Sequence, residues 1–259
     1  MPWRLASRGT CRHFRLVDDR VPQALPLRGY AVFLDIDGTL LDIAATPDDV
    51  VVPPHLHVLL RRLDARLQGA VALISGRRLA DIDTLIGPGV AVAAEHGAIL
   101  RDAGGQIIAS TPDSDALASL AVPMRALVAI HPGAVLEEKQ FGLVIHWRAN
   151  PAIAARLGSE VAALTAPYPE LMLQPAHQAL EIRVRGNGKA AALDAFLRTP
   201  PFAARRPLFI GDDLTDEPAI TRANELGGHG LHVERDFGGS PAIVLAWLEA
   251  SLNEEDRHG

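Results

Sequence analysis

Asp35 and Asp37 stand two residues apart in Asp35-Ile36-Asp37-Gly38-Thr39-Leu40, directly behind the apolar run Tyr30–Leu34. A carboxylate can attack phosphorus and form an aspartyl-phosphate, while a second carboxylate handles the proton. Side chains two apart would share one face if the strand ran on. Gly38 lets the chain turn, so the two acids can enter one pocket in different roles. A plain acidic turn would leave the following Gly-Thr-Leu-Leu-Asp unexplained.

Three further groups suit the same chemistry. Ser75-Gly76-Arg77 lies between the apolar run Ala70–Ile74 and a helical stretch. A hydroxyl and N–H groups at a helix N-terminus make an anion site. Lys189 follows Gly186-Asn187-Gly188 at another helix start and suits neutralisation of a phosphoryl oxygen. Gly211-Asp212-Asp213-Leu214-Thr215-Asp216-Glu217 gathers four acids within six residues, which repel unless a cation sits among them. Hard oxygen donors without His or Cys point to magnesium rather than zinc. An acidic helix start favoured by the helix dipole accounts for Asp216 and Glu217 better than for Asp212 and Asp213. Taken singly, Ser-Gly-Arg fits a helix cap and Lys189 a surface lysine. Their shared position after strand-like runs argues for one site.

The elements that must position these groups are legible as alternating runs. Tyr30–Leu34, Ala70–Ile74, Val90–Ala94, Leu208–Ile210 and Leu231–Val233 are continuous apolar stretches, the pattern of strands buried on both faces. Helical stretches lie between them at Pro54–Leu67, Arg78–Ile86, Lys189–Arg198 and Asp216–Leu226. Ser240-Pro241 supplies an N-cap and first-turn proline for a last helix. This alternation predicts an α/β fold, a parallel sheet with helices on both faces. Ligands then bind beyond the carboxyl ends of the strands, where all four motifs fall.

From about Gln106 to Val184 the rhythm changes. Helical Ser114–Ile130 and Ala152–Leu164 alternate with strand-like Ala134–Glu138, Leu143–Trp147 and Leu180–Val184, which carry polar residues in alternation. This predicts an inserted α+β cap over 106–185, between core parts 30–105 and 186–252. An N-terminal extension spans 1–29, loosely held or docked by Trp3 or Phe14, and a tail spans 253–259. Hinges are expected near Gly104-Gly105 and Gly186–Gly188.

Composition narrows the partners. The 259 residues carry a net charge of -6, which disfavours nucleic acid and anionic membranes. A small anionic sugar phosphate needs only a few local cations. The single cysteine, Cys11, fits a reducing, cytoplasmic setting, and no apolar run approaches a membrane span.

The order DxDGTL, Ser-Gly-Arg, Lys, Gly-Asp-Asp resembles the haloacid dehalogenase superfamily of phosphotransferases. The resemblance implies a Rossmann-like core, Asp35 as nucleophile, and Asp37 as general acid and then general base. It implies Ser75 and Lys189 on the phosphoryl oxygens. It also implies Mg2+ on Asp35, the Asp37 carbonyl and Asp212, supported by Asp213 and Asp216. A narrower likeness spans Tyr30 to Leu248. Ala94-Glu95-His96-Gly97, Glu137-Glu138-Lys139, His146-Trp147-Arg148 and Leu180-Glu181-Ile182-Arg183, with GDDLTDE, resemble the trehalose-6-phosphate phosphatase family. That likeness implies hydrolysis of trehalose 6-phosphate, functionally coupled to a trehalose-6-phosphate synthase. The distal glucose would be gripped by Glu137, Lys139, Arg148 and Glu181, with Arg77, Glu95, His96 and Asn187 as further substrate contacts. Sucrose-phosphate or mannosyl-phosphoglycerate phosphatases, a mutase and a non-catalytic sugar-phosphate sensor share parts of this pattern. Three departures stand out: Ala190 follows Lys189 where the family usually has Gly, Ile220 stands where an aromatic is usual, and residues 1–29 lie outside the likeness.

Overall fold

Three of the continuous apolar runs become strands with every residue buried: β1 (Tyr30–Leu34), β2 (Val71–Ile74) and β3 (Ala91–Ala94). Leu208–Ile210 is buried within a longer strand, but Leu231–Val233 is not a buried strand: it straddles the end of a half-buried edge strand and the helix that starts at Val233. The computed structural model describes residues 21–44, 49–111, 114–176 and 178–255. The N-terminal extension therefore lies outside the described residues up to position 20, with Trp3, Cys11 and Phe14, as do residues 256–259 of the expected tail.

The larger sheet has seven strands in the order β11-β10-β1-β2-β3-β4-β5. Here β4 is Ile99–Arg101, β5 Ile107–Ser110, β10 Arg206–Gly211 and β11 His229–His232. The strands β11, β10, β1, β2 and β3 pair in parallel, whereas β4 and β5 continue the sheet as antiparallel neighbours. Parallel pairing needs crossovers, and helices supply them. In α1 (Leu56–Leu67) the residues Leu56, Leu59, Leu60, Leu63 and Leu67 are buried, one apolar stripe at helical spacing. Helix α2 spans Leu79–Leu85, α5 Lys189–Phe196, α6 Glu217–Glu225, α7 Val233–Phe237 and α8 Pro241–Glu255.

The smaller sheet is antiparallel, in the order β6-β7-β9-β8. It consists of β6 (Val135–Glu138), β7 (Gly142–His146), β8 (Leu171–Ala176) and β9 (Ala179–Val184). Helices α3 (Asp115–Ala129) and α4 (Ala154–Thr165) cover one face. Leu120, Met124, Leu143, Ile145, Leu157, Val161 and Ile182 form a second apolar core there. Alternate residues of β9 point the other way, so Glu181 and Arg183 are buried toward the larger unit. The molecule is thus a Rossmann-like core with an inserted α+β cap.

Four expectations change. Ile107–Ser110 pairs with β4 in the core sheet, so the second sheet begins after Ser110 rather than at 106. Gly104-Gly105 consequently lies in the turn between β4 and β5, not between the two sheets. Residues 21–29 are docked rather than loose: Leu27 is fully buried, and Trp247 Nε1 donates to the Pro22 carbonyl at 2.9 Å. Residues 253–255 extend α8 rather than starting a tail.

Candidate active site

Asp35 is the first residue beyond β1, and its backbone N–H donates to Ile210 O at 3.0 Å, continuing the β1–β10 ladder. That register brings the ends of β1 and β10 together, and with them two acidic loops. Gly38 turns the first loop at φ 76°, where a Cβ would come within 2.0 Å of Asp212 Oδ2. Only glycine lets the second acidic loop approach so closely. Thr39 Oγ1 lies 3.3 Å from Asp35 Oδ2 and 3.4 Å from Asp212 Oδ1, bridging the two carboxylates.

Lys189, the first residue of α5, reaches into the same place. Its Nζ is 2.7 Å from Asp35 Oδ1 and 2.6 Å from Asp216 Oδ1, and all three residues are buried. Burial pulls the Lys189 ammonium toward losing its proton, but Asp35 and Asp216 outweigh it and its pKa is raised. Burial pushes the Asp35 carboxyl well above the usual range; Asp216 and Asp212 push the same way against Lys189. Asp212 is pushed up to about 6, first by burial and then by Asp216. Oxygens of Asp35, Asp212 and Asp216 lie within 4.8 Å of one another. Three such carboxylates share one buried ammonium, so a divalent cation fits the charge and the hard-oxygen donor set.

The expected ligands divide by what already occupies them. Asp216 Oδ2 accepts the N–H groups of Asp212 and Asp213 at 3.2 and 3.1 Å. With Oδ1 on Lys189, it shapes the loop that presents Asp212. Asp213 Oδ1 accepts the Thr215 N–H instead of facing the cluster. The Asp37 carboxylate, expected as the acid–base group while its carbonyl was expected on the metal, is bound at both oxygens by Arg77 Nε and Nη2 at 2.7 and 2.6 Å.

Ser75 is buried at the end of β2, and its Oγ accepts the Arg77 N–H at 3.1 Å. The neighbouring turn Glu95-His96-Gly97 has φ values of 46°, 56° and 91°, and non-glycine residues there mark a conformation imposed by their surroundings. Core carbonyls hold its backbone, Glu95 N–H donating to Arg77 O at 3.0 Å and His96 N–H to Ser75 O at 2.9 Å, and the cap engages its side chains. Glu95 Oε2 accepts the Phe141 N–H at 2.9 Å, and Phe141 is buried in the larger core cluster. His96 Nε2 lies 2.9 Å from Glu181 Oε2. Lys139 Nζ lies 3.2 Å from Glu181 Oε1 and donates to Gly76 O at 2.9 Å. Burial would raise the Glu181 pKa, but the hydrogen bond and charge of His96, with Lys139, pull it down to about 2.

The structure therefore gathers Glu95, His96, Lys139 and Glu181 against the Ser75 loop. Glu137 is paired with His146 at 2.9 Å on the adjoining strands, and Arg148 is exposed in the turn after β7. Asn187 faces the core–cap connection, where its Oδ1 accepts from Thr111 Oγ1 at 3.1 Å. Thr39, Phe141 and the Gly76 carbonyl were not singled out from sequence. Thr39 and Gly76 lie within the Asp35–Leu40 and Ser75-Gly76-Arg77 motifs; the roles of the Gly76 carbonyl and of Phe141 are recognisable only once the cap rests on the core.

A family model described as trehalose-phosphatase matches residues 33–241. The Escherichia coli K12 protein named trehalose-6-phosphate phosphatase is 37% identical over 225 residues, covering 86% of this chain and 82% of that one. A Sinorhizobium fredii relative is 39% identical over 219 residues, covering 84% and 82%. Among solved structures, the C-terminal domain of trehalose-6-phosphate phosphatase from C. albicans superposes with a TM-score of 0.71 at 21% identity, over 86% of this chain and 92% of that one. A haloacid dehalogenase-like hydrolase from Bacteroides thetaiotaomicron gives 0.57 at 14% identity, over 78% and 86%. At those identities the two structures speak for the fold. No helix among the described residues is long and apolar enough to cross a membrane.

Proposed function

The chain belongs to the trehalose-phosphatase family, and from that membership we propose that it hydrolyses trehalose 6-phosphate to trehalose and phosphate through a phosphoaspartyl intermediate on Asp35. It is a phosphoric monoester hydrolase. In the proposed reaction an Asp35 oxygen attacks phosphorus and the bond from phosphorus to the sugar oxygen breaks. Asp37 gives its proton to the departing oxygen. A water then attacks the phosphoaspartate, losing its proton to Asp37, and the bond from phosphorus to Asp35 breaks to release phosphate.

Ser75 and Lys189 hold the phosphoryl oxygens, and Arg77 sets the plane of the Asp37 carboxylate. Proton transfer at Asp37 requires Arg77 to release the oxygen concerned. Magnesium, held by Asp35, Asp212 and the Asp37 carbonyl, would supply positive charge that offsets repulsion between carboxylate and phosphate. Asp213 and Asp216 shape its loop.

The observation that carries the sugar assignment is the Lys139 bond to Gly76 O, next to Ser75. It supports a cap that brings Lys139 and Glu181 to the side of the phosphate site. A mixture of donors and acceptors suits sugar hydroxyls, with Glu137 and His96 alongside. Lys139, Glu181 and His96 satisfy one another in the closed form, so the distal glucose must replace those bonds during an opening and closing cycle. Coupling to a trehalose-6-phosphate synthase and a cytoplasmic setting belong to the same proposal. Phosphate release from trehalose 6-phosphate, sucrose 6-phosphate and glucose 6-phosphate, with and without magnesium, tests it. Preference for either other sugar, or turnover unaffected by chelation, would overturn it.

A further inference from the structure

The chain joins core to cap twice, and the two connections are bolted together beside Lys189. Thr111, whose N–H donates to Ala98 O at 2.7 Å, stands on the outgoing connection. Its Oγ1 donates to Asn187 Oδ1 on the returning one. The cap adds a second tie. Arg183, on the core-facing side of β9, is only 9% exposed. Its Nε donates to Gln174 Oε1 at 2.7 Å, and its Nη1 donates to the Asn187 carbonyl. Two residues on, Lys189 begins α5.

On its other side the start of α5 is fixed by the core. Gly97 packs so closely that a Cβ there would lie 2.9 Å from Ala192 Cβ and 3.2 Å from Gly188 O. The first turn of α5 is therefore held between a core turn with no room to move and a guanidinium carried by the cap sheet. Lys189 Nζ is within 2.7 Å of both Asp35 and Asp216, so a small shift of this turn breaks one of those contacts.

We propose that Arg183 is a positioning residue that couples the cap to Lys189, fixing the returning connection so that the ammonium stays seated beside the nucleophile. This rests on the reading of Lys189 as the group that holds the phosphoryl oxygen. Arg183 has no direct part in gripping the distal sugar; it acts on the chemical step for any phosphate ester.

The test uses Arg183→Ala and Arg183→Lys in the full chain, with p-nitrophenyl phosphate, which carries no distal sugar, and trehalose 6-phosphate. In Arg183→Ala, kcat on the aryl phosphate is expected to fall at least about tenfold, as for a misplaced catalytic group, with KM little changed. Added methylguanidinium is expected to restore part of that loss without accelerating the wild type. Should Arg183→Ala fail to fold, Arg183→Lys carries the same comparison, because a lysine ammonium keeps the charge but lacks the rigid planar fork that spans Gln174 and the Asn187 carbonyl. An aryl-phosphate kcat within about twofold of wild type, below the loss expected from misplacement, would overturn the proposal. So would a loss confined to KM for trehalose 6-phosphate. A wild type that splits the aryl phosphate but not trehalose 6-phosphate would instead refute the sugar assignment and leave this test intact.

Discussion

Replacing Glu181 with Gln isolates the value of one charge at the core–cap contact. Glutamine keeps the volume and one carbonyl acceptor, so the change removes mainly the negative charge between Lys139 and His96, 3.2 and 2.9 Å away. Glu181 is 5% exposed and its pKa is pulled from 4.5 down to about 2. A carboxyl whose folded pKa lies below its unfolded value stabilises the fold above the unfolded pKa. That contribution is lost as pH falls through the folded pKa. The shift corresponds to about 3 kcal/mol at pH 7, falling to about 1 kcal/mol near pH 3. Breaking a buried pair from one side costs a similar amount, about 3–5 kcal/mol. Denaturant unfolding of wild type and Glu181→Gln at both pH values should therefore show a gap that narrows on acidification. A gap of the same size at both would show that the carboxylate charge is not what this contact uses. The same variant should lose far more kcat/KM on trehalose 6-phosphate than on an aryl phosphate; equal losses would make Glu181 structural only.

Asp35→Asn should abolish phosphate release while melting within a few degrees of wild type, and normal release from it would refute the nucleophile assignment. Asp37→Asn should accumulate or slow the phosphoenzyme, visible by acid quench and intact mass; its absence in both variant and wild type would argue against a covalent step. Chelation should remove activity and magnesium restore it, with Asp212→Asn shifting the magnesium titration to higher concentration. An unshifted titration would remove Asp212 from the ligand set. Gly38→Ala should cost about 1–3 kcal/mol of stability for the left-handed backbone and most of the activity, because its Cβ meets Asp212. Full activity there would mean that the two acidic loops can part without consequence.

Much of the core could be read from the sequence because parallel strands buried on both faces are continuous apolar runs. Val32 or Leu73 cannot be placed otherwise without exposing apolar surface. Three of the motifs sit where such a run stops, which is why Asp35, Ser75 and Asp212 were recognisable as neighbours before any coordinates. The limits were equally physical. Ile107–Ser110 is exposed along its whole length, so it carries no burial pattern to assign it to the core sheet rather than the cap. Leu171–Ala176, with Pro175 within it, lacks the apolar continuity of a central strand.

The sequence determined which groups are available: two acids behind β1, a serine loop, a lysine after glycines, and an acidic loop behind β10. Tertiary structure decided what each is free to do. Asp213 and Asp216 look alike beside Asp212, yet one caps a turn and the other spends both oxygens on Lys189 and the loop amides. Asp37 is held by Arg77, forty residues away, and Glu95 holds a cap amide rather than standing open to a sugar. Residue type fixes donor and acceptor capacity. Which partner takes that capacity depends on how the loops are folded and which strand ends meet. Asp216 reaches Lys189, Asp37 reaches Arg77, and Glu95 reaches across the core–cap boundary to Phe141; spacing in the sequence does not specify these contacts.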